Sequence, residues 1–258
     1  MPQDLRVIIT GASSGIGSAL AKLYASRGAT LGLIARRRIE LEQIVAPFPG
    51  SVEIYPADVR DAAALQAAAA DFIAKHGCPD IVIANAGVSV GTLTQLPEDL
   101  RAFQDVFDIN VIGMVKTFQP FIEPMRQARS GALAGIASVA GYRGLPGSAA
   151  YSASKAAAIS YLESLRVELK TSGIRVVTIC PGYIATPMTE RNPYPMPFLI
   201  DADTSARKIA HAIDCGKTYT VIPWQMAIVA RVLRVLPNWL YDRLLLRAPY
   251  KPRRTDNI

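Results

Sequence analysis

Two rhythms of apolar residues alternate along this chain. Short runs rich in β-branched and small apolar residues, at 5–10, 30–35, 52–55, 80–84, 132–137, 175–180 and 219–222, read as strands. Between them apolar residues recur at helical spacing, as with Ala19, Leu20, Leu23 and Tyr24, and then over 37–46, from the N-cap Asp61 to about His76, over 97–107, 111–128, 149–171 and 204–215. Strands alternating with helices predict an α/β fold, a doubly wound parallel sheet of about seven strands with helices on both faces and right-handed crossovers. After the last strand the pattern becomes two amphipathic helices from Trp224 onward, with Pro237 at the boundary or first turn of the second. No linker, repeat or low-complexity tract interrupts the chain, and 258 residues of which half are hydrophobic suit one domain, 1–258, with 223–258 as a helical extension.

Composition narrows the classes of function. Cys78, Cys180, Cys215, His76 and His211 are scattered without the spacing of a metal cluster. The apolar run at 5–10 breaks at Gly11 and has no basic residues of the signal-peptide kind before it, so a cytoplasmic location is expected. The uncharged stretch 218–230 is too short to span a bilayer. A net charge of +7 fits nucleic acid, anionic lipid or a polyphosphate ligand equally, but its basic residues sit in Arg36-Arg37-Arg38 and among large apolar residues near the C-terminus. No base-reading module accompanies them, so no nucleic-acid partner is expected.

The candidate chemistry lies at the carboxyl ends of the strands, where a doubly wound sheet binds its ligands. The first strand runs into Gly11-Ala-Ser-Ser-Gly15-Ile-Gly17 and then a helix. Glycines let the backbone approach a ligand closely, and the free N–H groups of the helix start suit a pyrophosphate. Arg36 ends the second strand, where an acid would accept from a ribose hydroxyl and an arginine suits a 2′-phosphate; Arg37 is a second candidate. Tyr151 and Lys155, four apart on a helix, share a face, and a nearby ammonium favours the phenolate over a phenol whose ordinary pKa is about 10. Ser138 lies thirteen residues before Tyr151, at the end of a strand, placed to offer a hydroxyl to an oxygen gaining charge.

Together these residues resemble the short-chain dehydrogenase/reductase family over about residues 5–200. The Thr-Gly-x-x-x-Gly-x-Gly motif is similar to Thr10, Gly11, Ser13, Ser14, Gly15, Ile16 and Gly17; Asp58-Val59, Asn85-Ala86-Gly87, Asn110, Ser138, Tyr151 with Lys155, and Pro181-Gly182 follow in the family's order. The resemblance implies a Rossmann-like fold and a nicotinamide dinucleotide cofactor, with NADP favoured over NAD by Arg36. It implies that Asp58 and Val59 hold the adenine, that Lys155 also bonds the nicotinamide ribose, and that Asn110 orders a water joining Lys155 to solvent. Ile184 and Thr186 then belong to the cofactor site, with Thr186 at the nicotinamide amide. Substrate walls are expected from Val139, Tyr142, Leu145, Tyr183 and Met188, the last two on an apolar lid at 183–199. The implied function is hydride transfer between nicotinamide and the carbonyl or secondary alcohol of a hydrophobic small molecule, with Tyr151 as acid/base, in a homodimer or tetramer. The alternative is a cofactor-binding sensor or membrane-surface scaffold of the same fold, which the loss of one of Asn110, Ser138, Tyr151 or Lys155 would favour. The chain departs from many members in lacking a terminal Gly-Gly strand. Its C-terminal helices either pack on the domain or a second subunit, the favoured reading, or touch a membrane.

Overall fold

The computed structural model describes residues 5–48, 50–190 and 192–253. Its first half alternates strictly: β1 (Arg6–Thr10), α1 (Gly15–Ser26), β2 (Thr30–Ala35), α2 (Arg38–Val45), β3 (Val52–Pro56), α3 (Ala62–His76) and β4 (Ile81–Ala84). Then come α4 (Asp99–Phe107), α5 (Gly113–Ala128), β5 (Ala132–Ile136), α6 (Ala149–Glu168) and β6 (Arg175–Pro181). A small pair, β7 (Ile184–Ala185) and β8 (Ile200–Asp201), precedes α7 (Ala202–Asp214), β9 (Tyr219–Ile222), α8 (Trp224–Val235) and α9 (Asn238–Leu245).

Seven strands form one parallel sheet in the order β3-β2-β1-β4-β5-β6-β9. Winding runs outward from β1 in one direction and from β4 in the other, so the crevice between β1 and β4 is the switch point where such sheets bind ligands. Successive strand residues face opposite layers, and this builds two cores. Val7 and Ile9 pack with Leu20 and Tyr24 of α1 and Ile209 and Ile213 of α7, whereas Ile8, Val82 and Leu133 meet Phe72, Phe118, Phe121 and Leu162 on the other face. Each of these large side chains, taken fully out of water, contributes about 1.5–3 kcal/mol.

Helix starts follow their caps. Asp61 accepts the Ala64 amide at 3.0 Å, as its position predicts, and Asp201 accepts the Thr204 amide at 2.6 Å, so α7 begins two residues before the apolar spacing does. α4 and α5 form one continuous rod joined by a π-helical turn, Asp108–Ile112, which the spacing alone does not anticipate.

The C-terminal helices are amphipathic, as expected, and they pack on the loop that follows β5. Arg143 donates to the carbonyls of Leu233 and Leu236 at 2.6 Å each, satisfying orphan acceptors at the end of α8, and its guanidinium lies 3.8 Å from the Tyr241 ring centroid. Tyr241 Oη donates to the Gly144 carbonyl. Met226, Ala230 and Tyr241 are buried on the inner face, while Trp224, Ile228, Val232, Val235 and Trp239 stand exposed on the outer. Among the described residues no helix is long and apolar enough to cross a membrane.

Candidate active site

The cleft at the switch point begins with Gly11. Its φ of +66° suits glycine, and a methyl group there would come 2.7 Å from the Ala86 Cα. A bracket behind the loop fixes this close approach: Asn85 Nδ2 donates to the carbonyls of Thr10 and Gly11 at 3.1 and 3.2 Å, and Thr10 Oγ1 accepts from the Asn85 and Ala86 amides at 3.2 and 3.4 Å. Ser14 precedes α1 without a side-chain cap, and no acid stands in the first turn, so the leading amides face the cleft without a side-chain acceptor of their own. At the far end of this wall, Arg36 is exposed at the rim, whereas Arg37 donates to Ser13 Oγ at 3.2 Å and pairs with Glu40 at 3.2 Å. Asp58 closes the same corner. The bonds it accepts from the Arg60 guanidinium, the shortest 2.8 Å, hold its carboxyl below the usual range against the opposing effect of burial.

The other end of the cleft is built from β5, α6 and the π-helical turn. Ser138 is buried; its Oγ accepts from the Ala140 amide at 3.1 Å and donates to the Pro181 carbonyl at 3.4 Å. Lys155 is only 4% exposed, its Nζ donates to the Ile136 carbonyl at 2.9 Å, and burial lowers its pKa to about 8. Asn110 is fully buried within the π-helical turn. Its Oδ1 accepts from the Val88 amide at 2.8 Å, and its Nδ2 donates to the Val88 carbonyl and to Ser154 Oγ, each at 3.0 Å. The wider π turn turns this amide off the helix ladder, so its polar atoms bond to the β4 loop and to α6.

Tyr151 does not behave as its spacing from Lys155 alone predicts. Burial raises its pKa above the ordinary phenol value, and a hydrogen bond with Ser138 offsets this only in part. The nearby Cys180 thiol acts in the same direction as burial, and Lys155 is itself desolvated, with its Nζ bonded to Ile136 and 5.8 Å from the Tyr151 ring centroid.

A family model described as short chain dehydrogenase matches residues 6–195. The chain belongs to the short-chain dehydrogenase family. An uncharacterized oxidoreductase of Myxococcus xanthus is 38% identical over 238 residues, covering 91% of this chain and 94% of that protein. A 3-oxoacyl-[acyl-carrier-protein] reductase of Thermotoga maritima is 34% identical over 189 residues, covering 72% and 76%. The solved structure of a short-chain dehydrogenase from Streptomyces avermitilis superposes with a TM-score of 0.79 at 28% identity, covering 89% of this chain and 92% of that one. Levodione reductase gives a TM-score of 0.78 at 27% identity, covering 86% and 98%. As a short-chain dehydrogenase the protein is an oxidoreductase enzyme that uses a nicotinamide dinucleotide. The chain fits that group: the glycine turn that a Cβ would fill and the uncapped start of α1 form a cradle at one end of the cleft, and Tyr151 and Lys155 line the other.

Most of the residues the sequence singles out for this short-chain dehydrogenase site meet along one cleft. Gly11, Ser13, Ser14, Gly15, Ile16, Arg36, Arg37, Asp58, Val59, Asn85, Ala86, Gly87, Ser138, Tyr151, Lys155, Pro181, Gly182, Ile184, Thr186 and Met188 all line it. Thr10, Gly17 and Asn110 sit behind the wall and brace it; a methyl on Gly17 would collide with the Gly11 carbonyl. Thr186 packs on the turn, since a methyl on Gly15 would lie 3.2 Å from its Cγ2. The segment 186–199 that follows is pinned at its base by the β7–β8 pair, and within it Tyr194 meets Tyr183 edge-on with ring centroids 6.5 Å apart. Val139, Tyr142, Leu145 and Tyr183 are not among the cleft-lining residues. Tyr142 meets Tyr219 edge-on, at 6.4 Å between centroids, and the Leu145 amide donates to Ser152 Oγ at 3.2 Å.

Sequence reasoning passes over three groups. Ser154 is bonded to Asn110, and its place within Tyr-Ser-Ala-Ser-Lys, on a stretch of helix rich in small residues, is a signal that could have marked it. Cys180, buried under the site, donates to Tyr219 Oη at 3.1 Å, and burial raises its thiol pKa to about 11. Lys251 reaches Tyr151 from the C-terminal segment, with nothing local to mark it.

Proposed function

We propose that this short-chain dehydrogenase is an NADP-dependent reductase of a carbonyl, or dehydrogenase of the matching secondary alcohol, on a hydrophobic small molecule. The observation that carries this reading is the cleft itself, which joins a phosphate cradle, an arginine at the end of β2 and the Tyr151–Lys155–Ser138 group along the carboxyl edge of one sheet. Relatives named 3-oxoacyl-[acyl-carrier-protein] reductase and a structural neighbour named levodione reductase support the carbonyl reading.

The Gly11–Gly17 turn and the α1 amides would hold the pyrophosphate, Arg36 and Arg37 the 2′-phosphate, and Asp58 and Val59 the adenine. Asn85 to Gly87, Pro181, Gly182, Ile184 and Thr186 would hold the nicotinamide half. When bound, that group supplies or accepts the hydride at the carbonyl carbon. Tyr151 passes its phenolic proton to the substrate oxygen, or takes it back in the oxidative direction, and Ser138 donates a hydrogen bond to the same oxygen as its charge changes. Lys155 favours the phenolate once a proton leaves, and Asn110 holds the Val88 backbone and α6 in register. A hydrophobic substrate is supported by the exposed Met188, Phe198 and Leu199 on the segment over the cleft.

The test is a panel of ketones and aldehydes, aliphatic to polycyclic, followed by reduced-nicotinamide absorbance with NADPH and with NADH. Turnover of an apolar carbonyl with NADPH is the expected result; tight NADPH binding with no turnover across the panel would favour a sensor.

The same reading extends to assembly. Leu100, Ile112 and Val167 are large apolar side chains exposed on the rod of α4, the π turn and α5 and on α6, and they support a two-fold pairing of these helices. Light scattering at micromolar concentration is expected to return twice the chain mass of 27.8 kDa, and a monomer mass would refute the pairing.

A further inference from the structure

Beyond α9 the chain turns back to the active site, and Arg253 anchors it there. Its Nε donates to Asp99 Oδ2 at 2.8 Å and its Nη2 to Asp99 Oδ1 at 2.9 Å, with a further bond to Glu98 at 3.1 Å. Asp99 is 5% exposed and also accepts the Leu93 amide at 2.8 Å, so the anchor is two-pronged, with its carboxylate buried and its guanidinium partly exposed. Next to it, the Gly91 amide donates to the Pro252 carbonyl at 2.9 Å, and a methyl on Gly91 would collide with the Lys251 carbonyl. A strap fitted this closely fixes where the Lys251 side chain goes. Its Nζ donates to Ser89 Oγ at 2.6 Å and stands 5.3 Å from the Tyr151 ring centroid, nearer than Lys155 at 5.8 Å.

This ammonium has no carboxylate bonded to it among the described residues, and burial by itself lowers its pKa to about 8. A desolvated charge of this kind is costly unless something opposite in sign is near. The groups that act on Tyr151 come from five elements: Ser138 at the end of β5, Lys155 of α6, Cys180 of β6, Tyr194 of the 186–199 segment, and Lys251 of the strap. None of these is a carboxylate, and burial keeps the Cys180 thiol and the Tyr194 phenol protonated, so the anion that two ammonium groups can share is the phenolate of Tyr151.

We propose that Lys251 is a positioning residue for Tyr151: the C-terminal strap holds a second ammonium against the phenol, stabilises its phenolate, and moves its proton exchange toward neutral pH. Burial of the ring works the other way, a hydrogen bond with Ser138 counters it only in part, and the Lys155 ammonium is already committed to the Ile136 carbonyl. While Lys251 is protonated, one further positive charge at about this distance, in an interior of effective dielectric about 20, lowers a phenol by roughly two pH units, and phenol and ammonium titrate as a coupled pair. Removing it therefore raises the pH at which Tyr151 loses its proton. The consequence for turnover rests on the acid/base reading above; the effect on the phenol does not.

The test reads the phenol without substrate or cofactor. Tyrosinate absorbance is titrated on the full chain, and the Tyr151 contribution, one of ten tyrosines, is isolated by subtracting the Tyr151→Phe form of each variant. Lys251→Met is expected to move that contribution upward by at least about one pH unit, and Lys251→Arg to leave it in place. Lys251→Gln, which keeps a polar contact for Ser89, gives the same comparison should the methionine variant fail to fold. The pH profile of kcat/KM is expected to move by the same amount, with NADPH affinity by fluorescence unchanged. A Tyr151 titration identical in wild type and Lys251→Gln overturns the inference whatever the turnover, whereas the shift without turnover of any carbonyl overturns the catalytic reading and leaves the inference standing.

Discussion

Tyr151→Phe is expected to remove turnover, by roughly a hundred- to ten-thousandfold, while NADPH affinity stays within about twofold. The substitution deletes one hydroxyl from a side chain that lines the cleft and keeps the ring that packs there. On the acid/base role proposed above, what is lost is the proton passed to the substrate oxygen, together with the interaction of the phenol with Ser138. Serine cannot take over as the acid, because the proton of an aliphatic hydroxyl is far less acidic than that of a phenol. Lys155→Ala is a contrasting case. It removes a buried ammonium bonded to Ile136, so both turnover and cofactor affinity are expected to fall. Single-turnover rates and fluorescence titration with NADPH separate the two outcomes, and near wild-type rates in Tyr151→Phe with the best substrate would show that another group supplies the proton.

Arg36→Asp is expected to weaken NADPH binding by roughly ten- to a hundredfold and to leave NADH binding unchanged or improved. A charge-assisted bond to phosphate contributes about 1.5–3 kcal/mol, which is that factor in affinity. The three neighbouring arginines differ in how they are engaged. Arg38 pairs with Glu42 at 3.1 Å on the outer face of α2, and Arg37 is shared between Ser13 and Glu40. Arg36 makes no ion pair among the described residues, lines the cleft beside Asp58, and acts on that carboxylate through space. It is therefore the arginine whose charge is available to a 2′-phosphate, and an aspartate there would repel the phosphate and accept from a free ribose hydroxyl. Because such contacts are screened, the loss is expected to shrink at high salt. Michaelis constants for both cofactors, in wild type and variant, decide the matter; equal use of NADPH and NADH by the unmutated enzyme would sink the assignment before any variant was made.

Much of this site was legible because its chemistry is local. The Gly11–Gly17 turn, the end of β2 at Arg36 and the four-residue step from Tyr151 to Lys155 are each set by neighbours in the chain, where backbone sterics and helical spacing act directly. Strand period and helix period then imply a parallel sheet, and a parallel sheet brings strand ends to one crevice, so even the convergence of Gly11, Asn85, Ser138 and Pro181 could be inferred without coordinates. Tertiary structure alone decided what depends on distant partners. The bonds of Asn110 to Val88 and Ser154 explain its place in a π turn, which no local pattern marks. Tyr142, expected at a substrate wall, packs edge-on against Tyr219, a partner far along the chain on the β6–β9 edge that its own neighbours in sequence do not reveal. The acidity of Tyr151 is the sharpest case: Lys155 at helical spacing argues for a lowered pKa, whereas desolvation, a property of everything around the ring, raises it. Lys251 reaches the same ring from 100 residues further along the chain, through an anchor between Arg253 and Asp99 that only the folded chain brings together, since charge acts through space and sequence records order alone.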